Sequence, residues 1–393
     1  MSLDSCVTCG LCLPVCPTFR ITGDETASPR GRLTAMSAVA FHGAPVDDRF
    51  ADIMSLCLQC RACETACPSM VPFGEVMEAS RAEAEAQAPA PRSRLRRFTL
   101  VTALRSRALL RLATFGASLL SHIGLLRRFP VVGDQTRGLR RLPWRVRSAA
   151  GGSWGPQDGP VAMLLTGCVA DVWFSDIHTA TVEVLVAAGY RVVAPSKQTC
   201  CGALASHSGF ADDAAAMAKK NIAAFESADV VVADVAGCGA HLKSYGRFGD
   251  GASDLAAKVR DINEVIVEAV REGRLPSFPA TDIEVGIQDP CHLEHGQRAH
   301  TAVDVVIEAA GFKAVPIDRG GMCCGAAGVY QLEHQKMSAD LGQAKAERIT
   351  RTGIKTVVSA NAGCEMQLRR YLGNGYSVQH PVEMYARQMT ENR

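Results

Sequence analysis

From Val161 onward the chain alternates short apolar runs with segments whose apolar residues recur at helical spacing. Short runs rich in Val and Ile are typical of buried strands, and the longer segments predict helices. Strands that alternate with helices build a parallel sheet, because each helix returns the chain to the same edge. The pattern predicts strands at 161–166, 190–193, 230–235, 283–287, 313–317 and 356–359, and helices at 177–188, 211–226, 302–310 and 336–350.

The same strand-and-helix unit occurs twice, and four cysteines mark equivalent places in the two copies. The first cysteine of each copy precedes a Cys-Cys-Gly sequence by 32 residues, and a cysteine after glycine closes each copy. Such a repeat predicts two parallel α/β domains of one fold, at 161–280 and 281–393. The cysteines are Cys168, Cys200, Cys201 and Cys238 in the first copy, and Cys291, Cys323, Cys324 and Cys364 in the second.

These cysteines follow predicted strands, so the four of each copy could meet at the carboxyl edge of a sheet. Adjacent cysteines in a strand would point to opposite faces, whereas in a loop both can reach one centre. Four thiolates suit an iron–sulfur centre, a zinc ion or a redox thiol pair. His241 could add a ligand in the first copy. His292 and His295, beside Cys291, could orient ligands through hydrogen bonds.

Two copies of the run Cys-x2-Cys-x2-Cys-x3-Cys-Pro lie within the first 68 residues. This is bacterial ferredoxin spacing, in which three close cysteines bind one [4Fe–4S] cluster and the fourth binds the other cluster. A zinc site or a disulfide framework is the alternative, but zinc sites usually pair two Cys-x2-Cys units. The spacing predicts two clusters, bound by Cys6, Cys9, Cys12 and Cys67, and by Cys57, Cys60, Cys63 and Cys16.

Helical patterns at 33–41 and 73–87 accompany the two runs and predict an α-helical, ferredoxin-like domain over residues 1–91. Arg30 and Arg32 follow a turn-rich loop between the runs. They could interact with the charge of the cluster-bearing region or with an acidic partner. The alternative is that both are solvated beside a turn.

A strongly basic connector is predicted at 92–160, ending in a glycine-rich linker over 148–160. Residues 92–147 contain fourteen arginines, no lysine and one acid, although the whole chain has a net charge of only +2. Apolar residues between Leu95 and Leu119 recur at steps of three to five, which predicts an amphipathic helix with a cationic face. Such a helix could dock on an anionic membrane surface, bind an acidic partner subunit, or simply link two domains. No nucleic-acid-binding module accompanies it.

Sixteen cysteines in a chain of 393 residues, without a recognisable secretory signal, predict metal ligands in a reducing compartment. No apolar run reaches the roughly 18 residues that a membrane span needs. The expected location is therefore the cytoplasm, with peripheral attachment to the cytoplasmic face of the inner membrane as an extension. We find no dinucleotide-binding, P-loop or nucleophile-elbow motif, and no catalytic residue is predicted.

The pattern Cys…Cys-Cys-Gly…Cys resembles the cysteine-rich domain of heterodisulfide reductase, which binds an iron–sulfur centre through five cysteines. This chain departs from that pattern, because His241 and Gln367 stand where the fifth cysteines would fall. On this resemblance alone, disulfide reduction at the repeats is an alternative function.

A resemblance that covers nearly the whole chain is to the iron–sulfur subunit of glycolate oxidase. It rests on 9–18, 23–25, 29–32, 57–68, 237–240, 245–246 and 323–325, and on two ferredoxin runs followed by two cysteine-rich repeats. The resemblance implies electron transfer from an FAD-containing partner that oxidises glycolate or D-lactate, with a quinone or another acceptor downstream. The iron–sulfur anchor subunit of an anaerobic glycerol-3-phosphate dehydrogenase shares the layout and is a second alternative.

Overall fold

The computed structural model describes residues 2–91, 93–122, 138 and 148–392. Helices and loops make up the part that bears the two cysteine runs, as predicted. Several of these helices begin at a residue whose side chain accepts from the backbone of the first turn, including Ser28 and Asp47. The helices and 3-10 turns are Ser2–Ser5, Pro17–Thr22, Glu25–Ala27, Pro29–His42, Asp48–Ser55, Ala62–Thr65 and Phe73–Gln87.

Five strands form the sheet of the first repeat. They are β1 (Ser153–Trp154), β2 (Val161–Leu165), β3 (Arg191–Val193), β4 (Val230–Ala233) and β5 (Val259–Asp261), in the order β1-β3-β2-β4-β5. All neighbours are parallel except β1, which pairs antiparallel with β3. The helices are Val169–Trp173, Ser175–Ala187, Ala203–His207, Ala211–Ala224, Ala236–Lys243, Tyr245–Arg247, Ala252–Lys258 and Ile262–Arg271.

Four parallel strands form the sheet of the second repeat. They are β6 (Glu284–Ile287), β7 (Lys313–Pro316), β8 (Thr356–Val358) and β9 (Ser377–Gln379), in the order β7-β6-β8-β9. Its helical segments are His292–Gln297, Thr301–Ala309, Tyr330–Glu333, Gln335–Arg351, Ala362–Leu372 and Pro381–Glu391. The parallel α/β prediction is confirmed in both copies. The pattern missed β1, β5 and β9, because each contains a single apolar residue, whereas the equally short β3 and β8 contain two valines each.

The two repeats share one apolar core. Ile177 of the first repeat, Ile266 of the helix that ends it, and Val306 and Tyr385 of the second repeat belong to the same buried cluster. The hydroxyl of Tyr385 also donates to the carbonyl of Pro276, across 2.6 Å. Because apolar area is removed from water jointly by both copies, neither repeat buries this core alone.

The basic connector differs from the single amphipathic helix that the sequence predicts. It begins as Ser93–Arg97, continues as the π-type turn Phe98–Ala103, and resumes as the helix Arg107–His122. The remainder, residues 123–147 apart from Gly138, lies outside the described residues. The predicted linker at 148–160 is wrong in part, because it contains β1, which extends the first sheet.

Two arginines of this connector bind acids of the protein itself. Arg96 pairs with Glu85 at 2.6 Å, and Arg97 pairs with Asp213 at 2.7 Å. In the helix Arg107–His122, however, large apolar side chains face outward. Leu112 is 68% exposed, whereas Leu110 and Thr114 are buried. Among the described residues, none of the helices combines the length and the apolar character needed to cross a membrane.

Arg32 is buried, so its interpretation as a solvated residue is wrong. Its guanidinium donates to the carbonyls of Ala27 and Ile53, at 2.7 and 3.0 Å, and to Thr18. A buried guanidinium needs such partners because an unpaired charge in the interior is costly. Arg32 therefore joins the loop after the first cysteine run to the helix before the second.

We predict that Ile266→Ala lowers the free energy of unfolding by about 2–5 kcal/mol, because it opens a cavity in the core that both repeats share. Ile283→Ala is the matched control, since Ile283 is 56% exposed, and its effect should stay within about 0.5 kcal/mol. Urea unfolding under anaerobic conditions, followed by circular dichroism, measures both. Equal midpoints for the two variants would contradict the shared core.

Candidate metal centres

The first predicted ligand set surrounds a cavity near the surface. Its thiols all line this cavity, although Cys63 of the other set also reaches it. Arg30 lines the same cavity and donates to the carbonyl of Thr8 at 3.3 Å, while its ion pair with Glu25 holds it there. Arg30 is therefore placed to interact with charge at this site. The set consists of Cys6, Cys9, Cys12 and Cys67.

The second predicted set is more deeply buried. Burial raises the pKa of Cys60 and of Cys63 well above the usual value, and the neighbouring thiols of Cys57 and Cys16 raise it further. The backbone N–H of Gln59 donates to Cys57 Sγ at 3.3 Å. The structure thus brings Cys16, from the first run, to the three cysteines of the second run, as crossed ligation requires.

In the first repeat the four predicted cysteines come together beside the carboxyl edge of the sheet. Cys168 Sγ lies 3.4 Å from Cys200 Sγ, and hydrogen bonds link Cys201 to Cys200 and Cys238. Gly202 follows the pair with a φ of +91°, a conformation that glycine adopts without strain. None of the sixteen cysteines forms a disulfide.

The four predicted cysteines of the second repeat come together in the same way. Cys324 Sγ lies 3.1 Å from Cys364 Sγ, and hydrogen bonds connect Cys323 to both Cys291 and Cys324. Lys345, which the sequence reasoning missed, is buried beside Cys291 and Cys364 and forms an ion pair with Asp318.

Burial lowers the pKa of Lys345 to about 8, and the adjacent thiols counteract part of that effect. A cation in this position would stabilise thiolate charge at the second repeat. No apolar or cysteine pattern marks Lys345, because it lies in a long helix among other charged residues.

The second cysteine run docks directly on the second repeat. Three hydrogen bonds join them: Tyr330 donates to the carbonyl of Leu56 at 3.1 Å, His292 Nε2 donates to the carbonyl of Gln59 at 3.0 Å, and Thr65 pairs with His295 at 3.0 Å. Cys60 lies close enough to Cys291 and Cys323 for the thiols to affect one another's pKa. These two cysteine sites are therefore neighbours.

This docking gives His292 and His295 their structural role. Both contact the loop of the second run, and burial lowers the pKa of His292 to about 4, so its ring is neutral. Their predicted role in orienting ligands of the second repeat remains a prediction. Asn361 does donate a hydrogen bond to a predicted ligand, because its side-chain amide donates to Cys364 Sγ at 3.3 Å.

The two positions of the missing fifth cysteines are both buried. The side-chain amide of Gln367 donates to the carbonyl of Ser338 at 3.0 Å, so this side chain is already hydrogen-bonded within the second repeat. His241 is packed against Tyr245 and Phe248, and its Nε2 has no hydrogen-bond partner among the described residues. Burial lowers the pKa of His241 to about 3. Its ring is neutral, so it retains a lone pair for a metal.

Comparison with known protein families matches both parts of the chain. Residues 2–71 match the family described as a 4Fe-4S dicluster domain, and residues 162–243 and 285–369 each match the cysteine-rich domain. These matches confirm the predicted fold class and the iron–sulfur cofactors. The cysteine geometry agrees with them, since grouped thiols are the donors that such clusters need.

Curated relatives match nearly the full length. The probable glycolate oxidase iron-sulfur subunit of Bacillus subtilis is 32% identical over 93% of this chain and 88% of its own length. The glycolate oxidase iron-sulfur subunit of Escherichia coli is 30% identical over 97% of this chain and 93% of its own. The chain belongs to this family of iron–sulfur subunits. Lactate utilization protein A of Geobacillus thermodenitrificans is 28% identical over 53% of this chain and 90% of its own.

Membership in this family confirms the resemblance that the motifs indicated, including the order of two ferredoxin runs and two cysteine-rich repeats. The assignment of individual cysteines to individual clusters stays a prediction, and so does the kind of centre in each repeat.

We predict that Cys16→Ala removes the same cluster as Cys57→Ala, because the ferredoxin spacing predicts that both cysteines bind one cluster. Each variant should lose about four iron atoms, and the double variant should lose no more than either single variant. The matched control is the double variant Cys16→Ala with Cys6→Ala. It should lose about eight iron atoms, because the two cysteines are predicted to bind different clusters. Iron analysis of anaerobically purified protein measures this. If Cys16→Ala and Cys6→Ala together lose only about four, each run binds its own cluster.

Proposed function

We propose that this protein is the electron-transfer subunit of a complex that oxidises a 2-hydroxy acid, glycolate or D-lactate, on an FAD-containing partner subunit. Bound [4Fe–4S] clusters would supply one-electron transfer between that flavin and a quinone or another acceptor. Cys6, Cys9, Cys12 and Cys67 would hold one cluster. Cys57, Cys60, Cys63 and Cys16 would hold the other.

The observation that supports a relay is the docking of the second cysteine run on the second repeat. Leu56, Gln59 and Thr65 all bond to residues of the second repeat, so the loop that bears Cys57 and Cys60 is held against Cys291 and Cys323. Close and rigid placement of redox sites favours transfer between them. The N–H groups directed at Cys57 and Cys364 would also raise the potentials of centres bound there.

Disulfide reduction at the repeats receives less support. In the first repeat the fifth position holds His241, and in the second it holds Gln367, whose side chain is bound to Ser338. Each repeat therefore presents four cysteine ligands. The kind of centre they hold, iron–sulfur or zinc, belongs to the proposal and is decided by metal analysis.

We predict that glycolate or D-lactate bleaches the iron–sulfur absorbance of the complex purified with its flavoprotein, and that the isolated chain does not respond. Glycerol 3-phosphate should have no effect. In the complex with Cys16→Ala, flavin reduction should persist while dye reduction through this subunit falls, because an electron carrier is missing. Reduction by glycerol 3-phosphate in place of the hydroxy acids would favour the anchor-subunit alternative.

We also propose that the helix Arg107–His122 docks this subunit on an anionic membrane surface. Leu109, Leu112 and Leu119 are all at least 43% exposed, while Leu110, Thr114 and Ser118 are buried. Trp173 donates to the hydroxyl of Thr114 at 2.9 Å, which fixes this orientation. The inward face of the helix therefore packs on the protein. The exposed leucines form an apolar stripe on the outward face, in a segment rich in arginine. Apolar side chains with cationic neighbours are typical of interfacial helices.

We predict that the protein floats with vesicles of phosphatidylcholine and phosphatidylglycerol, but not with phosphatidylcholine alone. Leu112→Glu with Leu119→Glu should weaken binding at least about tenfold, since two inserted side chains are lost. Leu332→Glu is the matched control, because Leu332 is 51% exposed outside the stripe. Flotation that ignores lipid charge or the stripe would contradict this proposal, and an acidic partner subunit would then be favoured.

A further inference from the structure

One carboxylate and two imidazoles meet between the N-terminal helices and the first repeat. Glu78 comes from the helix Phe73–Gln87, His207 ends the helix Ala203–His207, and His241 lies on the helix Ala236–Lys243. One potential ligand atom of each residue lies within 4.8 Å of the other two, beside a small cavity that all three residues line. None of the three is a predicted ligand of the ferredoxin-type clusters.

Two of the donors already have the spacing of a zinc site. His207 Nε2 lies 3.3 Å from Glu78 Oε1. Donor atoms around a tetrahedral zinc are also about 3.3 Å apart, because zinc–nitrogen and zinc–oxygen distances are about 2.0–2.2 Å. An ion could therefore enter between them with small side-chain movements.

The third donor points to a missing ligand. His241 is only 4% exposed, and its Nε2 has no hydrogen-bond partner among the described residues. Buried polar atoms are rarely left unpaired, because desolvation without a new bond is costly. Tyr245 and Phe248 pack against the ring and supply no polar partner to that nitrogen.

Surrounding residues hold the donors in position. Glu78 Oε2 accepts from Ser206 at 2.7 Å and pairs with Arg247 at 2.5 Å, which leaves Oε1 directed at His207. The carbonyl of His207 accepts from the half-buried Arg81 at 2.5 Å. Bonds of this kind, from residues that do not touch the ion, orient the ligands of most metal sites.

We propose that Glu78, His207 and His241 bind a divalent transition-metal ion, for which Zn²⁺ is the best match. Two imidazoles and one carboxylate are a common zinc donor set that leaves a fourth position for water. The ion would join a helix of the dicluster domain to the first repeat. None of its three donors belongs to the two ferredoxin-type ligand sets, and the site does not depend on the substrate of the complex.

Zinc and iron analysis of the full chain tests the site. The wild-type protein should contain about one zinc more than Glu78→Gln or His207→Gln, with unchanged iron, and zinc titration of these variants should show at least about hundredfold weaker binding. His42→Gln is the matched control, because His42 is exposed at the end of a helix. Equal zinc in all four proteins would overturn the proposal.

His241→Gln distinguishes this site from a cluster ligand. It should lose zinc and keep iron, whereas loss of iron would make His241 a ligand of the first repeat and overturn the proposal. If the variants fold poorly, Co²⁺ added to the wild-type protein keeps the test decisive. Cobalt bound here should give visible bands without sulfur-to-cobalt charge transfer, and a spectrum of sulfur-bound cobalt alone would contradict the site.

Discussion

The fold has to bury sulfur atoms against one another. Free thiols tolerate this only in the protonated form, and burial accordingly raises the pKa of Cys60 and Cys63 well above the ordinary value. A metal centre reverses that preference, because its positive charge stabilises the thiolates. The same requirement explains the N–H groups directed at Cys57 and Cys364, and the buried Lys345 beside the second repeat. These polar contacts compensate charge where water is excluded.

Metal chemistry dictates local spacing, so the sequence could predict which cysteines come together. Crossed ligation is what the two ferredoxin runs predict, and Cys16 lies close enough to Cys60 and Cys63 to affect their pKa values. The 32-residue spacing likewise predicted that four cysteines converge in each repeat. The strands β5 and β9 were missed, since each contains only one apolar residue. Lys345 was missed because its helix contains many charged residues, and only packing reveals which one is buried.

The contacts between parts could not be predicted, because no spacing encodes them. His292 and His295 drew attention for their position beside Cys291, yet the structure uses both to hold the second cysteine run. The connector gives a similar lesson. Its apolar period was read correctly, but the turn Phe98–Ala103 breaks the helix, and Leu112 faces solvent while Thr114 faces the protein. Periodicity locates an apolar face without saying whether it points inward.

The two repeats share a template but have different neighbours, and this asymmetry bears on their roles. The second repeat is hydrogen-bonded to the loop that bears Cys57 and Cys60, so its cysteines lie beside a ferredoxin-type site. The first repeat instead faces Glu78 through His207 and His241, with Arg81 tying its backbone to the N-terminal helices. Duplication preserved the cysteine geometry, whereas docking made the copies unequal. If the repeats take part in the proposed relay, this contact makes the second repeat the direct neighbour of the second cysteine run.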